Sequence, residues 1–385
     1  MSLRLLTAGE SHGPELVAIL DGMPAGVRVD QEEIDRQLRR RQGGHGRGAR
    51  STRVEQDHAE IVAGVASGTT TGAPIAIRIV NRDHANQPAT KPVLTTPRPG
   101  HADWAGAVKY GVSDLRLIRE RASARETAAR VAAGSLVRPL LQALGAEVMS
   151  FVTAIGDVDA SVDLGRTNAT DLLRLAAAAE LDQVRCFDPE RSARMVRAID
   201  DARASRETLG GAFVVAATGL PVGLGSHTQW DRRLDAQLAA AVISIPAVKG
   251  VEIGPAFEVA GMEGTRAQDP ILATRGPLGR ETNFAGGVEG GMSNGEPLVL
   301  RAAMKPLSSV RAALRSVDLV SGEQADPPYI RSDICAVPAA AVVGEAVVAL
   351  VLAAAALERF GGDRLDAILA SARAGSQAAL SGGSL

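Results

Sequence analysis

SARETAARVAAGSLVRPLLQALGAEVMSFVTAIG, residues 123–156, changes its hydrophobic period once, and that change sets the fold class. Ser123 and Glu126 form an S-x-x-E box, in which a hydroxyl and a carboxylate cover the free N–H groups of a first helical turn. Val137, Leu140, Leu141 and Leu144 recur at helical spacing, and Gly145 stops the helix. From Glu147 to Gly156 the β-branched and aromatic residues Val148, Phe151, Val152, Thr153 and Ile155 favour a strand.

Outward from this unit the same alternation continues. DQEEIDRQLRRRQ reads as a helix capped by Asp30, and DPERSARMVRAIDDARA as one capped by Asp188 with Pro189 at its first position. WDRRLDAQLAAAVISI and the segment 339–360 complete the long helices. IAIRIV (75–80), AFVVAATG (212–219) and PLVLRAAM (297–304) read as strands. No G-x-G-x-x-G follows a strand and no G-x-x-x-x-G-K-[ST] is present, so neither a dinucleotide fold nor a P-loop is indicated. The expected class is α/β, a mixed sandwich of sheets and helices. Aromatics make up only 3% of the chain, so its core must be built from small side chains that let elements approach closely.

The 385 residues fit one large catalytic domain spanning 1–385, with a loose tail over about 376–385. The net charge of −2 leaves any anion site to local clustering of cations, and argues against nucleic acid or membrane as a partner. Cys186 and Cys335 match no metal or disulfide spacing, which suits a reducing, cytoplasmic setting. The apolar run inside AVVALVLAAAALERFGG is interrupted by Glu345 and closed by Glu358 and Arg359, and reads as a buried core or interface helix.

Five segments gather Arg, His, Ser and Gly in a way that suits an anionic ligand. In Gly9-Glu10-Ser11-His12-Gly13, a histidine could protonate a departing phosphate, although a plain turn reads equally well. Residues 39–50 carry five arginines; Arg39 and Arg40 suit a helix end, whereas Arg47 and Arg50 lie beyond it. RPGHAD (98–103) holds His101, and taken alone is a turn. Ser123 between Arg121 and Arg125 is a helix cap and also an anion site. Lys305-Pro306-Leu307-Ser308-Ser309, Arg331-Ser332-Asp333 and the Gly-rich stretch 286–295 complete the set. The inventory suits a small doubly anionic substrate with a phosphate leaving group. Acyl transfer and zinc hydrolysis lack their motifs, and no metal site is expected.

In these segments the chain resembles the chorismate synthase family. GESHG (9–13), ERASARETAAR (120–130) and RSDICAVPA (331–339) match its signatures. RRQGGHGRGAR (40–50), RPGHAD, KGVEIG (249–254), GGMSNG (290–295) and MKPLSS (304–309) match in order from end to end. The resemblance implies a β-α-β sandwich with mixed sheets packed against helices. It implies a carbon–oxygen lyase of the shikimate pathway that carries 5-enolpyruvylshikimate 3-phosphate to chorismate by anti-1,4-elimination. It also implies a need for reduced FMN without net oxidation, a homotetramer, and a separate flavin reductase as supplier.

The resemblance further assigns roles. His12 is the acid near the leaving phosphate, His101 acts on the reduced flavin, and Asp333 assists proton removal. Arg41, Arg47, Arg50, Arg98, Arg125 and Arg331 form the cage around the substrate's anionic groups, with Ser11 and Ser123. Flavin contacts fall at Arg121, Ala122, Ser123, Pro246, Ala247, Gly290, Lys305, Pro306, Leu307, Ser308, Ser309 and Arg331, and a nicotinamide (NADPH) contact falls at Arg41 and Arg47. His45, Ala122, Pro246 and Ser309 depart mildly from the family pattern. An RNA-binding reading of RRRQGGHGRGAR is disfavoured by the acidic net charge and the lack of nearby stacking aromatics. A binding protein without catalysis is disfavoured by the presence of His12, His101 and Asp333.

Overall fold

Alternating burial along Ile75–Val80 and Glu15–Asp21 shows how the first sheet is made: every second side chain is apolar and buried. The computed structural model describes residues 3–88, 91–272, 278–312, 314–328 and 332–380. In chain order its main elements are β1 (Arg4–Ala8), β2 (Glu15–Asp21), α1 (Gln31–Gln42), β3 (Glu60–Ala63), β4 (Ile75–Val80), α2 (Asp103–Tyr110), α3 (Arg116–Arg121) and α4 (Thr127–Ala143). There follow β5 (Glu147–Ile155), β6 (Val158–Asp159), α5 (Ala169–Glu180), α6 (Pro189–Ala204), β7 (Gly211–Thr218), α7 (Leu234–Ile243), β8 (Val248–Ile253), β9 (Leu298–Met304), α8 (Val337–Phe360) and α9 (Leu365–Leu380). The tail expected to be loose from 376 falls partly on α9 and partly, from 381, outside the described residues.

A four-stranded sheet has the order β1-β2-β4-β3 and a five-stranded sheet the order β8-β9-β7-β5-β6. Neighbours run antiparallel throughout both. Between the sheets lie α1, α4 and α8: α4 packs on β2 and β4 from one side and meets β5 and α8 on the other. This is the sandwich that the resemblance implied. Leu16, Leu20, Ile75, Ile77 and Ile79 form the inner face of the small sheet. Val148, Val152, Phe213 and Val215 form the inner face of the large one and join the same core. The large sheet is also covered outside, where α5 lays Leu172 and Leu175 on Phe151, Val214 and Val299. Burial on both faces explains why its strands read as unbroken apolar runs. The small sheet has an open outer face carrying Leu6, Ile19, Val62 and Val80.

Small residues allow the layers to close. A Cβ added at Gly134 of α4 would lie 2.6 Å from Ala346 Cβ of α8, and one at Gly344 would lie 2.7 Å from Val215 Cγ2 of β7. Length and composition alone would let α8 cross a bilayer, but it is packed inside the sandwich. Two helix starts differ from the sequence reading. Ser123 caps a tight turn, Ala124–Glu126, by accepting from Arg125 N at 3.3 Å, and the α-helix begins only at Thr127. Arg125 is drawn off by its ion pair with Asp57. WDRRLD likewise splits into a turn, Trp230–Arg232, and α7, because Arg233 is extended and pairs with Asp235.

One charge sits at the junction of the layers. Glu345 on α8 has a side chain 1% exposed. It accepts from Arg40 of α1 at 2.8 and 2.9 Å, Arg138 of α4 at 3.0 Å, Ser150 of β5 at 2.6 Å and Arg185 at 3.3 Å. Burial would raise its carboxyl, but the charges of Arg40 and Arg138 outweigh that and hold it well below the ordinary 4.5. Glu345→Ala leaves three guanidinium groups around a missing partner and should cost about 3–5 kcal/mol in denaturant unfolding. A depressed carboxylate stabilises the fold above its unfolded value, so wild-type stability should fall as pH drops below about 4.5, while Glu345→Gln lacks this component.

Candidate active site

The turn between β1 and β2 holds GESHG in place through its backbone. Gly9 sits at φ +102°, where a Cβ would lie 2.4 Å from Glu15 O. Ser11 N donates to Glu120 O at 3.0 Å, and His12 N donates to Glu120 Oε2 at 2.7 Å. His12 Nδ1 lies 2.9 and 2.8 Å from the two carboxylate oxygens of the same Glu120. A carboxylate only accepts, so Nδ1 carries a proton there, and Nε2 is the nitrogen that meets the Arg50 guanidinium. Nε2 stands 3.1 Å from Arg50 Nη1 and 3.7 Å from Asp83. Burial would raise the Glu120 carboxyl, yet its bonds to His12 hold it below the usual range.

Opposite this turn, the segment after α1 brings in arginines that buried carboxylates hold. Asp57, with no side-chain exposure, accepts from Arg125 Nη1 at 2.6 Å and from Arg41 Nη1 at 3.4 Å. Arg41 also reaches Thr127 Oγ1 at 2.9 Å and Ala124 O at 3.0 Å. Burial pushes the Arg41 guanidinium down to about 10, against the pull of Asp57, which leaves it charged at neutral pH. Arg50 donates to Ser11 Oγ at 2.9 Å and to Glu55 Oε1 at 3.1 Å. Arg47 forms an ion pair with Asp333, whose other oxygen accepts from Gly48 N at 2.6 Å.

A second histidine–carboxylate pair lies at the start of α2. His101 Nδ1 is 2.5 Å from Asp103 Oδ1. Asp103 is fully buried and also accepts from Arg98 N at 3.0 Å and Arg119 Nη2 at 2.8 Å. Burial would raise the Asp103 carboxyl, but His101 and the two arginines hold it far below the ordinary range. Arg98 continues to Ser309 Oγ at 2.7 Å, and Lys305 Nζ to Gly100 O at 2.7 Å.

These groups face one cavity of about 650 Å³, within the usual range of small-molecule sites. His12, His101 and Asp333 line it, as do Arg41, Arg47, Arg50, Arg98 and Arg125 with Ser11 and Ser123. Ala122, Pro246, Ala247 and Lys305 line it too, with Leu307, Ser308 and Ser309. Arg121 does not: its guanidinium turns to Thr7 at 2.9 Å. Pro306 and Gly290 are also outside the lining, and Gly290 stands in the turn of a hairpin, Val288–Glu289 with Met292–Ser293. Arg331 lies outside the described residues. The first turns of α4 and α8 reach the cavity through Thr127, Ala339 and Ala340, which adds their positive helix ends to the cations.

The sequence reading passed over the carboxylates. Glu55, Asp57, Asp83, Asp103 and Glu120 stand behind the cations, and Asp103 and Glu120 lie inside the quoted motifs RPGHAD and ERASARETAAR. An acid embedded among basic motif residues was the available signal. Arg119 was also missed. It lines the cavity, is 4% exposed, and its Nη1 has no hydrogen-bond partner among the described residues, nor has Nη2 of Arg125. Arg125 Nη2 still lies 3.6 Å from Glu55 Oε2, an ion-pair distance.

The sequence profile of the chorismate synthase family matches residues 3–357. The chain is 53% identical to the chorismate synthase of Rubrobacter xylanophilus, over 95% of this chain and 94% of that one. It is 53% identical to that of Salinispora tropica, over 94% and 95%. A crystal structure of a chorismate synthase superposes with a TM-score of 0.82 at 41% identity, covering 98% of each chain.

The two thiols stay out of this chemistry. Burial pushes Cys335 up to about 12 and Cys186 up to about 11, so neither is a thiolate near neutral pH. Native protein at pH 8 should therefore resist iodoacetamide, and denatured protein should take up two labels, as mass spectrometry would show; rapid labelling of the native protein would contradict these environments.

Proposed function

The chain belongs to the chorismate synthase family, and we propose that the cavity just described is where the family's reaction takes place. The protein is a carbon–oxygen lyase acting on a phosphate ester. It converts 5-enolpyruvylshikimate 3-phosphate to chorismate and phosphate by anti-1,4-elimination, a step of the shikimate pathway to aromatic amino acids. The observation that carries the assignment of the site is the meeting of His12, His101, Asp333 and five of the expected arginines on one cavity.

Reduced FMN belongs to this reading, and the residues suit it. Ile245, Pro246, Ala247, Met304, Leu307 and Val343 give the cavity an apolar wall for a flat ring system. Lys305, Ser308, Ser309 and Arg98 offer donors beside that wall. When bound, the flavin supplies transient electron density that eases departure of phosphate, with no net oxidation.

The chain's own groups do the rest. Arg41, Arg47, Arg50 and Arg125 bind the phosphate and carboxylates, pre-set by Asp57, Glu55 and Asp333 so that little reorganisation is needed as charge moves onto the leaving group. His12 presents Nε2 to the phosphate and gives it a proton as the C–O bond breaks. The ring C–H pair becomes a new double bond, the existing double bond shifts, and phosphate leaves with the C–O electron pair. Asp333, held at the cavity wall by Arg47 and the Gly48 backbone N–H, assists removal of the ring proton. His101, held by Asp103, faces the flavin side.

The open apolar face of the small sheet, with Leu6, Ile19, Val62 and Val80, supports a homotetramer. A separate reductase supplies the flavin, and two buried free thiols suit the cytoplasm.

Incubated without oxygen with reduced FMN and the enolpyruvyl substrate, the protein should release chorismate and phosphate in equal amounts. His12→Ala and His101→Ala should each lower kcat about 10²–10⁴-fold with folding intact. Wild-type rates in either variant remove that residue from the mechanism. Arg47→Ala should weaken substrate affinity about tenfold or more, measured by calorimetry, the loss of a charge-assisted bond; unchanged affinity rejects its place in the cage.

A further inference from the structure

We propose that Glu120 is the positioning residue for His12: it sets a ring proton on Nδ1, so that Nε2 is the nitrogen turned to the cavity, and bolts the GESHG turn to α3. This rests on the assignment of His12 as the acid for the departing phosphate.

Three bonds converge on this one side chain and its backbone. The carboxylate takes the His12 backbone N–H at 2.7 Å and the ring Nδ1 at 2.8 Å, and the Glu120 carbonyl takes Ser11 N–H at 3.0 Å. The turn is thereby fixed in depth, by its main chain, and in rotation, by its ring. Glu120 lines the cavity beside His12.

The surroundings separate this pair from the other one. Asp103, which serves His101, also carries Arg98 and Arg119, so two guanidinium charges already offset its own. Among the described residues Glu120 makes no ion pair with an arginine, and its only ion-pair partner is His12. Among the described residues the titratable groups against His12 are Glu120 from α3, Asp83 and His84 from the segment after β4, and Arg50 from the segment after α1, His84 meeting the His12 carbonyl rather than its ring. Arg50 is the group that an incoming phosphate would draw away from Nε2.

A purely structural glutamate predicts a different response to substitution, and a double-mutant cycle separates the two. Glu120→Gln in the wild-type background should lower kcat about a hundredfold while the substrate KM changes less than about threefold. In a His12→Ala background the same substitution should cost less than about twofold. The limb of the kcat–pH profile that His12→Ala abolishes should move to lower pH in Glu120→Gln. Glu120→Asp keeps the charge and should retain turnover within about tenfold of wild type. If Glu120→Gln does not fold, the cycle is run with Glu120→Asp, whose loss must likewise vanish beside His12→Ala. Equal losses in both backgrounds, or a wild-type rate in Glu120→Gln, would overturn the proposal. A fully active His12→Ala would instead reject the assignment of His12 itself, whatever Glu120 does.

Discussion

Arginines repel one another, and a cavity lined by Arg41, Arg47, Arg50, Arg98, Arg119 and Arg125 would not hold its shape without something behind them. That something is a shell of carboxylates. Asp57 holds Arg41 and Arg125, Glu55 holds Arg50, Asp103 holds Arg98 and Arg119, and Asp333 holds Arg47. Each cation is pinned from the rear or side by a carboxylate, so the donors around the cavity are already ordered. The two histidines follow the same rule, with Glu120 and Asp103 behind them.

The sandwich exists, in this sense, to bring those pairs to one place. The β1–β2 turn, the segment after α1, the start of α4, the end of β9 and the entry to α8 all open on the same side of the helical layer. Their mutual positions depend on how closely α1, α4 and α8 pack, which Gly134 against Ala346 and Gly344 against Val215 decide. Glu345 ties those three helices to the large sheet through Arg40, Arg138 and Ser150. Arg40 belongs to this structural hub, while its neighbour Arg41 belongs to the cavity, so one turn of α1 serves both.

Much of this was legible in the sequence, and the rest was hidden for physical reasons. The strand Ile75–Val80 was read to the residue, and Glu147–Ile155 and Leu298–Met304 within one, since a buried strand must be apolar. Helices Gln31–Gln42 and Pro189–Ala204 were legible from Asp30 and Asp188, whose side chains do cap them. β1 and β2 were not, because their outer face is open and their pattern is mixed. The motif residues were legible as a set of cations and histidines, and most of them line one cavity. The acids that orient them were not, since a glutamate between two arginines looks like any solvated helix residue until the fold places His12 beside it.

The most direct measurement is a crystal structure of the protein prepared without oxygen, with reduced FMN and an unreactive analogue of the enolpyruvyl substrate. The phosphate should lie within hydrogen-bond distance of His12 Nε2 and Arg50, with the flavin ring against Ala247 and Leu307. An analogue bound away from this cavity, or a phosphate that touches neither His12 nor Arg50, would contradict it.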